Sequence, residues 1–397
     1  MTDEIAITTY YGPLSWYIDQ LSKVEHKSLL DVVYKLDDED REHLLIPAQP
    51  DNDGTVKRPE IERAAIQRIE HLAAESGDFA NLNDHIITNF PGLVRRVNPK
   101  HLHLHNPPLH VYRSLEHSFP DTLKTESFTY PPVLRNILIE FQERFSKRVI
   151  GQEEAKLALL TAMYSLTRRD RDKPVVLMFY GPSGVGKTES AHFINSLLKG
   201  TLMRKQFSMF HSEQFASYVF GGKHSEPSFA HDLLDREPGV ILIDEFDKAS
   251  PVFHSAFYQL FDSGVFEDKN YRAEIKGANL IICTSNYGTE EEIRRTLGDA
   301  LYSRFDQLIQ FKPLTKDEIH EVIDRLVDCC YDKLEEDEKS WISAEDVKAK
   351  FKESSHKLRN VRKLGKLVDE VISLALVRAM LNKESPISEV NEIKDPT

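Results

Sequence analysis

Cysteine is scarce in this chain: Cys283, Cys329 and Cys330 are the only three in 397 residues. Three thiols, two of them adjacent, exclude a disulfide framework and fit a reducing compartment. Basic residues are also in the minority. Lys and Arg number 51 against 64 Asp and Glu, a formal charge of −13. That balance argues against nonspecific nucleic-acid binding, because neutralising phosphates needs clustered cations. The run Thr167 to Lys173 interleaves aspartates with its arginines and reads as a solvated loop. Long apolar runs are missing, and nothing approaches the ~20 residues that span a bilayer. The acidic start, Met1-Thr2-Asp3-Glu4, lacks the basic region and apolar core of a signal peptide. The expectation is a cytoplasmic protein with no membrane partner. Repeats and low-complexity tracts are absent too, and a hydrophobic content of 40% supports two or three domains with real cores.

Three zones follow along the chain. Residues 1–130 carry no recognisable motif. Pro47 to Gly54 reads as an exposed loop, and Pro59 to Ile66 opens an amphipathic helix with Pro in its first turn. The stretch Asn98 to Pro120, rich in Pro and His, reads as irregular or short strand. Residues 131–313 alternate helical segments with continuous apolar strands: Val175 to Tyr180, Val240 to Ile243 and Leu280 to Thr284. That pattern belongs to a parallel sheet covered on both faces. Residues 314–397 read as consecutive helices, the first with a capping box formed by Thr315 and Glu318. The polar end, from Glu389 on, reads as frayed.

The chemistry lies in the second zone. Gly181-Pro182-Ser183-Gly184-Val185-Gly186-Lys187-Thr188 matches GxxxxGK[ST], directly after a strand and before a helix. Glycines let the backbone wrap closely enough for its N–H groups to hold phosphate oxygens at a helix N-terminus. Lys187 is then expected to neutralise the β- and γ-phosphates of ATP, and the Thr188 hydroxyl to ligate Mg²⁺. Asp244 and Glu245 close the strand Val240 to Ile243, where carboxylates are costly without a cation or a water network. Asp244 suits the metal shell, and Glu245 suits activation of the attacking water.

These residues resemble the AAA+ ATPases, specifically the Clp-type unfoldases and nearest their second ATPase domain, over about Phe145 to Val371. The resemblance implies an α/β fold: a P-loop domain whose parallel sheet is flanked by helices, then a small helical lid. The N-terminal domain is expected to be mainly helical and to bind a client or partner. Arg148 to Ala155 resembles the family's segment before the P-loop, so backbone around Val149 and Ile150 would hold adenine. Ile282 to Asn286 ends in the polar sensor residue, Asn286. Leu301 to Asp306 resembles the arginine-finger segment, in which Arg304 would reach a neighbouring subunit's γ-phosphate. Lys357 to Arg362 resembles the second sensor, in which Arg359 would touch nucleotide in its own chain. A finger supplied in trans implies a ring or at least a dimer, with a hexameric ring expected.

Two departures shape the functional expectation. Unfoldases of this branch grip substrate with an aromatic between glycines; Ser217 to Pro227 occupies that interval without the pattern, leaving Tyr218 or Phe220 as displaced paddles or as core residues. Seventeen residues, Tyr287 to Ser303, separate Asn286 from Arg304, which leaves little room for a peptidase-docking loop. The expectation is an ATP-driven remodeller of a protein client, acting without a peptidase. Torsin-like members also lack the pore aromatic and act with a dedicated protein partner, so a nucleotide-dependent switch or scaffold is the alternative. Elsewhere, His101, His103 and His105 alternate in His-Leu-His-Leu-His, with His110 nearby. They form either a zinc site or a polar strand face with leucines behind it. Cys329 and Cys330, in a helical stretch, read as core or half-buried thiols.

Overall fold

The computed structural model describes residues 4–45, 49–50, 56–57, 68–168, 171–209, 212–275, 277, 279–355 and 360–382. The helix expected from Pro59, most of the loop Pro47 to Gly54, Arg359 and the polar end lie outside them.

A five-stranded parallel sheet organises the middle of the chain. Its strands are β6 (Val175–Tyr180), β7 (Met203–Gln206), β8 (Val240–Asp244), β9 (Leu280–Thr284) and β10 (Gln307–Gln310), in the spatial order β10-β6-β9-β8-β7. Every residue of β6, β8 and β9 is buried. The strands alternate faces at a period of two. Val175, Leu177, Phe179, Val240, Leu242, Leu280 and Ile282 join one apolar core. Val176, Met178, Ile241, Ile243, Ile281 and Cys283 join the other. A strand buried on both faces has no polar side, so the sequence reads as unbroken apolar runs. Chemistry is confined to the strand ends, where the chain leaves the two cores.

Five strands nearer the N-terminus make a second parallel sheet: β1 (Ala6–Tyr11), β2 (Lys27–Ser28), β3 (His71–Ala74), β4 (His101–His105) and β5 (Leu123–Ser127), ordered β2-β3-β4-β1-β5. Helices contribute much of residues 4–130, yet this sheet, not a helical bundle, carries the core around Ile7, Leu72, Leu102 and Leu104. The expectation of a mainly helical N-terminal domain missed it. Asn98 to Pro120 likewise holds one regular strand and the helix Leu109–Ser118. Beyond β10, the helices Lys316–Tyr331, Ala344–Glu353 and Val361–Asn382 pack a separate core around Ile323, Val327, Leu364 and Val368. The expected capping box at Thr315 and Glu318 is present. No helix of the described residues is long and apolar enough to cross a membrane.

The N-terminal sheet is stapled to the loop after β1 by one side chain. Buried Asn106 is held in the left-handed region at φ 42°. Its Oδ1 accepts from the Gly12 N–H at 3.1 Å, and its Nδ2 donates to the Gly12 carbonyl at 2.9 Å. Removing that amide orphans the buried Gly12 N–H, while the Gly12 carbonyl keeps His105 Nε2 at 2.7 Å. Asn106→Ala is expected to destabilise this part of the chain by about 2 kcal/mol. Urea unfolding followed through Trp16, in a Trp341→Phe background, measures it.

Candidate functional site

The P-loop leaves the carboxyl end of β6 at Gly181, whose φ of +125° and close approach to the Phe311 carbonyl (2.1 Å from where a Cβ would stand) admit only glycine. The helix Lys187–Leu198 follows. Gly186 occupies its N-cap, and no side chain caps the first-turn N–H groups. A helix start with uncapped donors is a site for an anion.

Lys187 folds back over this loop. Its Nζ donates to the carbonyls of Gly181 at 2.6 Å and Pro182 at 2.8 Å, and to Asn286 Oδ1 at 3.2 Å. Burial pulls its pKa down to about 8, against the opposing pull of the Asp247 and Asp244 carboxylates. Gly181 and Pro182 therefore serve the site through carbonyls that hold Lys187.

Asp244 ends β8 and Thr284 ends β9. The Thr284 hydroxyl donates to Asp244 Oδ1 at 2.5 Å and accepts from the Glu245 N–H at 3.0 Å. One hydroxyl thus positions both carboxylate residues. Arg204, on β7, donates to Asp244 Oδ2 from Nη2 at 2.5 Å. Glu245 takes the left-handed conformation, φ 57°, and its Oε2 accepts from Gln206 Nε2 at 3.1 Å. Four strand ends therefore converge on one place, at the crevice where parallel sheets of this kind bind ligands.

A cavity of about 840 Å³ opens there. One side is polar: Ser183 to Thr188, Asp244, Glu245, Thr284 and Asn286. The other is largely apolar, built by Val149 and Ile150 from one side and, from the other, by Leu314 and by Val322 and Leu326 on the helix Lys316–Tyr331. That division suits a nucleotide, with phosphates at the P-loop and the base between aliphatic side chains. Gln152 fixes the base side: its Nε2 donates to the Lys312 carbonyl at 2.9 Å and its Oε1 accepts from the Lys312 N–H at 3.0 Å. The C-terminal helices also touch the P-loop directly. Asn360 Nδ2 donates to the Ser183 carbonyl at 3.2 Å, and the Val361 N–H to that of Gly184 at 3.1 Å.

Of the residues expected from sequence, Val149, Ile150, Ser183 to Thr188, Asp244, Glu245 and Asn286 line this one cavity. Arg304 does not. Its Nε donates to Asp262 at 2.7 Å, and its guanidinium lies 4.7 Å from the Tyr258 ring centre. Arg359 lies outside the described residues, while Arg362 lines the cavity. Sequence reading assigned no role to Arg204, Gln206, Thr284 or the aliphatic wall. Bland residue types on separate strands give no contiguous signal, though Thr284 stood in an identified strand two residues before Asn286. Tyr218 is a core residue: it is buried, and its Oη donates to Asp232 Oδ2 at 2.5 Å. Phe220 is 45% exposed and packs against Phe253.

Comparison with known proteins agrees with this geometry. Residues 172–329 match the AAA domain (Cdc48 subfamily). The chaperone protein ClpB of Aquifex aeolicus is 29% identical over 228 residues, 48% of this chain and 23% of the relative. ClpB of Bacillus cereus is 30% identical over 226 residues, 49% of this chain and 26% of the relative. The ClpC ATP-binding subunit of the Clp protease of Staphylococcus epidermidis is 26% identical over 258 residues, 55% of this chain and 32% of the relative. The chain thus spans at most about a third of the length of these relatives. A closed-state structure of Hsp104 with ATPγS and FITC-casein superposes with a TM-score of 0.53 at 15% identity, covering 96% of this chain and 89% of that one. At that identity the likeness concerns the fold.

Two outcomes are expected. Thr284→Val, which keeps shape and removes the shared hydroxyl, should lower ATP turnover roughly 10- to 100-fold through misplacement of Asp244 and Glu245, with little change in nucleotide affinity. Steady-state turnover beside a fluorescent-nucleotide titration separates the two. The second concerns pH. A Lys187 depressed to about 8 is charged below that value and neutral above it. Phosphate favours the charged form, so binding should take up a proton near pH 8 and weaken as pH rises through it. The unfolded lysine stays protonated up to its ordinary value, so stability should rise with pH between the two. Calorimetry in buffers of differing ionisation enthalpy counts the proton, and Lys187→Arg should abolish the uptake.

Proposed function

We propose that this chain, whose residues 172–329 match the AAA domain (Cdc48 subfamily), hydrolyses ATP to remodel a protein, as an assembly whose sites are completed between subunits and with no docked peptidase. The observation that carries the reading is the convergence of Lys187, Asp244, Glu245, Thr284 and Asn286 on one cavity with an aliphatic wall opposite. In this account residues 131–313 are the motor, residues 314–397 the lid and residues 1–130 the recognition domain.

Lys187 is already buried and held by two carbonyls, which the β- and γ-phosphates of ATP would replace as partners for its charge. Asn286, now bonded to Lys187, would orient the attacking water, and the Glu245 carboxylate would accept its proton. Release of Glu245 from Gln206 frees that carboxylate for the task. The donor set fits Mg²⁺, with the Thr188 hydroxyl and the Asp244 carboxylate as hard oxygens beside the phosphate site. Held by those oxygens, Mg²⁺ would supply positive charge against the charge that builds on the phosphates. Arg304, engaged with Asp262 away from its own cavity, is available to a neighbouring copy's γ-phosphate. That placement supports a ring, with six subunits the expected number.

One observation favours a second reading, a partner-activated switch that does not thread polypeptide. The loop in the position of a substrate grip is occupied within the chain: His224 bonds the Leu82 carbonyl through Nε2 at 2.9 Å and faces Asp84 Oδ1 from Nδ1 at 3.0 Å. With Tyr218 buried, no aromatic of that interval except Phe220 is half exposed.

Glu245→Gln is expected to bind ATP and not hydrolyse it, and so to hold whatever the protein acts on. Mass spectrometry of material co-purifying with this variant in ATP should then show many partly unfolded proteins if the chain is a general remodeller. One stoichiometric folded partner would instead support the switch. Full turnover by Glu245→Gln would overturn the assignment of the base.

A further inference from the structure

The N-terminal sheet brings together a set of imidazoles that the ATPase site does not use. His71 opens β3 and His101 opens β4, and the two are paired directly across the parallel ladder. Their rings stack with centres 4.6 Å apart. Glu70 sits at the bend just before β3, where strand alternation does not send its side chain to the other face. One ligand atom from each of Glu70, His71 and His101 lies within 4.8 Å of the others. His103, two residues along β4, adds a further contact: its Nε2 is 3.2 Å from His71 Nδ1. Ala73, opposite His103 in the ladder, leaves room for that ring.

We propose that Glu70, His71 and His101 form a binding site for a borderline divalent cation, zinc being the best fit, on the N-terminal domain. Two imidazoles and one carboxylate are a zinc donor set, and three protein ligands leave the fourth position to water or to an anionic group of a bound molecule. His103 is the positioning residue. Metal-binding histidines characteristically engage their second ring nitrogen with a neighbour, which fixes tautomer and ring plane. His103 does so at His71 Nδ1 and leaves Nε2 of His71 for the metal. Its own Nδ1 lies 3.3 Å from the Tyr10 hydroxyl, which continues the chain of contacts inward.

Two features shape the site. Lys100 Nζ pairs with Glu70 at 2.6 Å, but both side chains are about half exposed, so the carboxylate can exchange an ammonium for a cation. The histidine repeat contributes less than its sequence suggests. His105 is buried elsewhere, its Nε2 2.7 Å from the Gly12 carbonyl, and His110 lies on the next helix near the Thr88 carbonyl. The ligand that replaces them, His71, comes from thirty residues upstream, and only strand pairing delivers it.

The test is a zinc titration of the full chain, stripped with chelator and free of nucleotide, by calorimetry and by cobalt absorption. One tight site per chain is expected, with a tetrahedral cobalt spectrum. His71→Ala and His101→Ala should each remove it, and His103→Ala should weaken it about 10- to 100-fold. Circular dichroism checks that each variant is folded. Glu70→Gln, at an exposed position, provides a weakened site should the histidine variants fail to fold. No stoichiometric zinc in the unaltered chain would overturn the proposal, as would a site of undiminished affinity in folded His71→Ala or Glu70→Gln.

Discussion

A buried ammonium needs partners, and in this chain Lys187 finds them in the carbonyls of the loop that carries it. The cost of hiding that charge, visible in its depressed pKa, is what gives an incoming polyphosphate its advantage. The glycines of the loop allow the backbone to come within reach, and the uncapped helix start supplies the remaining donors. Around this point the sheet is arranged so that polar residues appear only where strands leave the apolar cores. Asp244, Thr284 and Gln206 are each the last residue of a strand, and Asn286 follows β9 by two.

The same arrangement leaves the site open to two kinds of control. The C-terminal helices contribute the aliphatic wall and hydrogen-bond the P-loop through Asn360 and Val361, so whatever moves them alters the base pocket and the phosphate loop together. Residues before 130 contact the middle of the chain at His224, which bonds the Leu82 carbonyl, and at Asp235, whose Oδ1 accepts from the Leu14 N–H at 3.1 Å. Arg304 is held by Asp262 and the Tyr258 ring, away from the cavity of its own chain.

The parts of this structure legible in the sequence are those written contiguously. The P-loop and the Asp244-Glu245 pair sit in strand–loop contexts of a few residues, and β6, β8 and β9 are apolar throughout because both their faces are covered. What the sequence hid was written across strands. Thr284 and Gln206 are ordinary residues until the ladder places them beside Asp244 and Glu245. The N-terminal sheet was missed for a related reason: β2 is two residues long, and β5 is an exposed edge reading Leu-Lys-Thr-Glu-Ser with no apolar run. The histidines of β4 were visible as a pattern, but their partner His71 was not, since parallel pairing joins residues far apart in the chain.

On the proposed function, catalysis requires a second copy of this chain. The most direct measurement is the ATP turnover rate per chain across a wide range of protein concentrations, with assembly followed in parallel by sedimentation. Turnover that rises with concentration and tracks the assembled fraction is the result this account predicts. A rate per chain that stays constant down to concentrations where only single chains remain would contradict it.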